Sequence, residues 1–193
     1  MNDNHTRLAN LLGALATGIS DRIRVAAAEQ TNLGGEAAAA LVVIGHKAGL
    51  SIDQLGRVLK LSHPGTVRVV DRLVSAGLAE RKSALIDRRA LALHLTPAGE
   101  TERAAVLEGR RAAICAVLGH IAPSDYPVLE QLVEKMLASL PCDATSALSV
   151  CRFCDQHACS ACPMDQFDAS GPQAKSGSLA RPASAISKEQ NPT

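Results

Sequence analysis

The chain has 193 residues, room for one domain and an appendage on the usual scale of about 100–200 residues per domain. With 47% hydrophobic and 20% charged residues it is neither a disordered nor a fibrous chain, and a formal net charge of +1 names no partner by itself. Aromatic residues make up only 2%, with no Trp, so everything before Tyr126 must pack with aliphatic side chains and Ala, most easily as helices. The same scarcity argues against carbohydrate sites and single-strand nucleic-acid platforms, which stack their ligands on aromatic rings.

Leu8, Leu11, Leu12, Leu15 and Ile19 recur at steps of three and four and predict a first helix with an apolar stripe, broken at Asn32-Leu33-Gly34-Gly35. Asp3, Arg7 and Asn10 in and before this stripe argue against a signal segment. The longest apolar run, Ala37 to Gly45, is half of the roughly 18–20 residues that span a bilayer. The reading is a cytoplasmic protein with no membrane contact, its six cysteines reduced unless metal-bound or redox-active.

A second helix is predicted from about Glu36 to His46. Ser51 and Gln54 then form a capping box opening a short helix to about Leu59. Ser62 caps the next, which tolerates Pro64 in its first turn and runs to about Ala76. Two short helices joined by a tight turn, the second carrying Arg68 and Arg72, have the form of a helix-turn-helix. Leu78 to Lys82 can pair with Ala90 to Leu95, where Leu91, Leu93 and Leu95 alternate, and Ser83 to Arg89 makes the tip of this hairpin, a wing bearing Asp87, Arg88 and Arg89. From Lys47 to Arg89 there are nine Lys/Arg against four acids, while the rest of the chain has eleven against fifteen. A basic middle in an otherwise acidic chain is the electrostatic footprint expected for a polyanion. Thr96-Pro97 starts a long helix through Val106 and Leu118, and a last helix after Pro123 carries Leu129, Leu132, Val133, Met136, Leu137 and Leu140 as a second apolar stripe.

The run Leu61-Ser-His-Pro-Gly-Thr-Val-Arg-Val-Val-Asp-Arg-Leu-Val-Ser-Ala-Gly-Leu-Ala-Glu-Arg81, with Asp87-x-Arg89-x-x-x-Leu93-x-Leu95-Thr96-x-x-Gly99, resembles the MarR-type winged helix-turn-helix transcriptional regulators over roughly residues 5 to 140. The resemblance implies a mainly α fold with a small β-hairpin wing, in an intertwined helical dimer whose N- and C-terminal helices pair across a two-fold axis. Two apolar stripes at opposite ends of a small chain support that pairing independently. It also implies a sequence-specific regulator of a near-palindromic double-stranded operator, a repressor responding to a small ligand, a metal or a redox signal, with half-sites about one helical turn apart. Ser62 is expected to cap the recognition helix and meet phosphate. His63, Thr66, Val67 and Arg68 lie where base edges are reached, with Arg68 suited to guanine. Arg72 is expected at phosphate, and Arg88 and Arg89 in the minor groove.

Residues 141–168 form a cysteine-rich tail outside the resemblance, and 169–193, without periodicity, are expected to be disordered. Cys151-x2-Cys154-x4-Cys159-x2-Cys162 has the spacing of a metal site, with zinc the first candidate. An iron–sulfur cluster competes, because Cys154-x4-Cys159-x2-Cys162 has the plant-type ferredoxin spacing. A metal-free thiol switch is the third reading. A metal could also simply fold the tail, with Phe153 and Phe167 packed around it, while Cys115 is expected to be buried on its helix. No phosphate loop, Ser-His-Asp set or paired-carboxylate site suggests an enzyme, and C-x2-C here lacks the βαβ setting of a thiol oxidoreductase. A winged helix used only for protein contacts is the other alternative.

Overall fold

A computed structural model describes residues 3–31, 34–83, 91–159 and 162–167. The element order is α1 (Asp3–Thr31), α2 (Gly35–His46), α3 (Ile52–Leu59), α4 (His63–Ser75), β1 (Ala79–Ser83), β2 (Leu91–Leu95), α5 (Pro97–Leu118), α6 (Tyr126–Ala138) and α7 (Ala144–Val150), with 3-10 turns at Pro123–Asp125 and Asp165–Phe167. It is the mainly helical winged-helix fold that the sequence predicts.

The centre is α2, in which Ala37 to Ile44 are all buried. A helix apolar all round must be enclosed, and this one separates two cores. Leu41, Val43 and Ile44 face Leu55, Val58, Val70, Leu73 and Leu93 of the helix-turn-helix and wing, while Ala38 and Val42 face Ala27 of α1 and Val106 of α5.

The local chemistry of the helix-turn-helix follows the sequence closely. Ser51 Oγ accepts from Gln54 N (3.2 Å) and Gln54 Oε1 accepts from Ser51 N (2.9 Å), closing the capping box. Lys60, at φ 57, makes the left-handed turn, and Ser62 Oγ then accepts from Gly65 N at 3.3 Å to open α4. In the wing, β1 and β2 pair antiparallel with Ala79 opposite Leu95 and Ser83 opposite Leu91. Leu50 adds a single-residue bridge to β2: Gly49 N donates to Leu93 O and Leu93 N donates to Leu50 O, each at 2.9 Å. Of the predicted inward leucines, Leu93 is fully buried and Leu95 packs on the core, but strict alternation fails: Ala92 is buried as well, and Leu91 is 48% exposed because the hairpin there has passed the edge of the core.

At the other end, α6 is bent by 105° from α5 and turns away from the body. Its Val128, Leu132, Val133, Met136 and the following Leu140 are exposed, as are Leu8, Leu11, Leu12 and Leu15 of α1. Among the described residues no single helix is long and apolar enough to cross a membrane.

The tail departs from the appendage expected for residues 141–168. Asp143 caps α7, its Oδ1 accepting from Ser146 N at 2.7 Å, and the chain then folds back onto the body. Phe153 packs against the second core of Ala27, Ala38, Val42 and Val106. Leu148 packs against the first core, and Phe167 lies with Met164 and Cys151 in a small third cluster. Cys115, expected to be buried, is exposed on α5, because that turn of the helix lies beyond the body it packs on. The expected disorder of 169–193 lies outside the described residues.

Gly99, in the first turn of α5, is required for the join between wing and helix: a Cβ there would overlap the carbonyl of Leu78, the acceptor for Thr96 N. Backbone rather than a flexible side chain would have to give way. Gly99→Ala is expected to cost about 1–3 kcal/mol in urea unfolding, as overpacking does, and an unchanged midpoint would show that the join tolerates a side chain.

Candidate nucleic-acid interface

Helix α4 divides its residues cleanly between core and surface. Thr66, Val70 and Leu73 point inward and are fully buried, whereas Ser62, His63, Arg68 and Arg72 are exposed. Thr66 is therefore a correction to the base-contact assignment. Its Oγ1 donates to the Ser62 carbonyl at 3.0 Å and lies where Gly56 of α3 leaves room, so that a Cβ on Gly56 would come within 2.8 Å of it. Thr66 sets the approach of the two helices and does not face solvent. Val67 is half-buried, one step around the helix.

His63 Nδ1 lies 2.7 Å from Asp53 Oδ1, with both side chains more than half exposed. This clip joins the first turns of α3 and α4 and makes Nε2 the ring nitrogen that can face a groove. Arg81 of β1 reaches Asp71 at 2.6 Å and braces the wing against the back of α4. The exposed cations of α4 thus stand on a helix pinned at its start and along its length. Arg88 and Arg89, with Asp87, lie outside the described residues.

On the far side of α2, a cavity of about 520 Å³ lies between α1, the start of α2, the end of α3 and the tail. Ile19, Ile23, Leu59 and Phe153 give it apolar walls, and Arg24, Arg110 and Cys154 bring polar atoms to it. Arg110 Nη2 donates to Cys154 Sγ at 3.8 Å, and Arg110 Nε is buried without a partner among the described residues. Cys151 and Cys154 stand against each other, as their C-x2-C spacing allows. Hydrogen bonding from Cys151, with the Arg110 and Arg152 guanidiniums, outweighs burial and brings Cys154 down to about 6. Cys151, which supplies that hydrogen bond and is itself buried, is pushed up. Cys159 is exposed and raised by partial burial of its sulfur; Cys162 is partly buried. Among the described residues no three His, Cys, Asp or Glu groups are placed to hold a metal ion. The zinc and iron–sulfur readings for Cys151, Cys154, Cys159 and Cys162 therefore rest on spacing alone.

Residues 31–90, which hold α2, both helices of the helix-turn-helix and most of the wing, match the model of the MarR family. This segment of the chain is similar to the MarR family, and the chain as a whole has a winged-helix fold. Its fold is similar to that of a MarR family protein from Bacillus stearothermophilus, with 23% identity, a TM-score of 0.61 and 70% of this chain covering 95% of that one. It is likewise similar to the YusO protein of Bacillus subtilis, at 18% identity and a TM-score of 0.59, with 72% of this chain covering 99% of that chain. A probable transcriptional regulator from Pseudomonas aeruginosa is 27% identical, with a TM-score of 0.51 and coverage of 67% and 98%. The shared part is thus nearly all of each neighbour and about two thirds of this chain.

The winged-helix fold here also holds a polar cluster that sequence reasoning missed. Arg103, Val106 and Arg110 occupy one face of α5, a periodicity visible in the sequence, but only the fold supplies their partners. Arg103 lies over Gly45 and its Nη2 reaches His46 Nδ1 at 3.3 Å. His46 Nε2 is buried and directed at the main chain of Cys151 and Cys154, short of a well-formed hydrogen bond. Burial, then the Arg103 charge, pulls His46 down from 6.5 to about 4 against the pull of those carbonyls. A histidine neutral when folded takes up its proton on unfolding, so its contribution is fully present above about pH 6.5 and is lost as pH falls towards 4. His46→Gln is expected to flatten the stability profile across that window in thermal melts, and parallel profiles would remove His46 as its source.

Proposed function

We propose that this protein is a homodimeric, sequence-specific DNA-binding transcriptional regulator that represses its target until a signal is taken up between its helices. The observation that carries the reading is the two-sided α4: three residues locked into the core and four polar or cationic ones, Ser62, His63, Arg68 and Arg72, turned outward. Guanidiniums on the first turns of a helix suit base edges, and those a turn later suit phosphate. Arg88 and Arg89 extend the contact into the flanking minor groove. The apolar stripes of α1 and α6 are the surfaces through which two copies pair, and a two-fold pair reads a near-palindrome of duplex DNA. The cavity of about 520 Å³ has the size for a small-molecule effector.

In gel shifts on a duplex selected from a random pool, Arg68→Ala and Arg89→Ala are each expected to weaken binding by about 1–3 kcal/mol without loss of folding. The wild-type affinity should fall steeply with salt as phosphate contacts release counterions. Weak, salt-insensitive binding would instead favour a winged helix used for protein contacts. Met136→Glu, which puts a charge into the exposed stripe of α6, is expected to convert a dimer to monomers in sedimentation equilibrium. A wild-type monomer would overturn the dimer reading.

A further inference from the structure

His63 opens α4, and the fold gives it a partner ten positions back in the chain. Asp53 sits in the first turn of α3, where a helix N-terminus favours negative charge. Its Oδ1 lies 2.7 Å from His63 Nδ1, the distance of a hydrogen bond to an ionised acceptor. Both residues stand on capped turns: Ser51 and Gln54 close the capping box beside Asp53, and Ser62 Oγ accepts from Gly65 N beside His63. The side chains of His63 and Asp53 are nonetheless 63% and 67% exposed. An exposed pair of this kind adds little to stability, so its main consequence is for the chemistry of the ring.

A carboxylate has no hydrogen to give. Nδ1 must therefore carry the hydrogen and donate it, which leaves Nε2 of the neutral imidazole as a bare lone pair. The tautomer of a histidine is set by the bond its other nitrogen makes, and here that bond is fixed from α3. In the major groove, a lone pair is answered by the exocyclic amino groups, N6 of adenine and N4 of cytosine. O6 and N7 of guanine, O4 of thymine and the phosphate oxygens are all acceptors and repel it.

We propose that Asp53 is a positioning residue that holds His63 in the Nδ1–H tautomer, so that Nε2 reads an amino-bearing base, adenine or cytosine, at one position of each half-site. The proposal rests on the regulator reading above for the duplex, not for the tautomer. It divides the exposed face of α4 by chemistry: His63 accepts, whereas Arg68 has donors alone and suits guanine. Asp53, on the neighbouring helix, thus sets base preference without touching DNA.

Two measurements on the full chain test this at about pH 8, where a neutral imidazole predominates. In nitrogen-15 NMR of the free protein, His63 should show Nδ1 protonated and Nε2 bare. Asp53→Ala should return the ring to the Nε2–H form that free imidazole favours, and Asp53→Glu should keep Nδ1–H. Duplexes selected from a random pool should then show one position per half-site where adenine or cytosine exceeds guanine or thymine about fivefold. That is the low end for base-edge contacts, because a single hydrogen bond is made. His63→Ala should level that position and leave the others. Asp53→Asn, whose amide can donate to Nδ1 and place the hydrogen on Nε2, should move the preference towards guanine or thymine, and Asp53→Glu should restore it. A wild-type ring in the Nε2–H form would overturn the proposal. So would a selection profile unaltered by His63→Ala, a guanine or thymine preference at the position it levels, or a preference indifferent to Asp53→Ala and Asp53→Asn alike. Failure to select any duplex would instead strike the regulator reading, with the spectra still deciding the tautomer.

Discussion

Everything in this molecule leans on the enclosure of α2. Its run from Ala37 to Ile44 is buried on every side, and no such helix survives in water without neighbours around its full circumference. Burying a side chain of Leu, Ile or Val size is worth about 1.5–3 kcal/mol, so the helix holds together whatever packs against it. On one side it gathers α3, α4 and the wing; on the other it gathers α1, α5 and Phe153. The small Ala side chains facing α1 and α5 let those long helices approach closely, while Leu41, Val43 and Ile44 fill the space under the helix-turn-helix.

That shared wall explains why the surface of α4 is free for recognition. Its inward residues satisfy the core, the Ser62 cap and the Thr66 hydroxyl satisfy backbone groups of its first turn, and Arg81 braces it from the wing. Of the outward side chains, Ser62 and His63 hold the first turn through the cap and the Asp53 clip. The surface of α4 can vary without loss of fold only at positions that neither cap nor clip the helix.

The tail is the part of this chain that goes beyond the scaffold. By docking Phe153 into the α1/α5 core and Leu148 onto the other core, it makes a structure of some ten residues touch both halves of the molecule. It also closes one side of a cavity whose remaining walls belong to the winged-helix body. Arg110 and His46 owe their unusual settings to this docking: the first has a buried nitrogen with no partner among the described residues, and the second is pressed between Arg103 and the tail backbone.

Much of this was legible in the residues alone because the relevant forces are local. Ser51 with Gln54, Ser62 with Pro64, and Thr96 with Pro97 mark helix starts through hydrogen bonds spanning three residues, and all three caps form as read. The spacing of leucines placed α1 and α6, and alternation placed β2. What the sequence could not decide was which side of an element meets another. Thr66 looked like a reading residue because its position is on the first turns of α4; only the approach of α3 at Gly56 turns it inward. Leu50 became a strand residue only when β2 arrived beside it. Cysteine spacing suggested a four-sulfur site, yet the pairing of Cys151 with Cys154, and the guanidinium beside them, come from α5 and the docked tail. Periodicity and capping act within a few residues and are written along the chain; burial, partner and electrostatic setting arise between segments far apart in sequence, and the packing of α2 decided them.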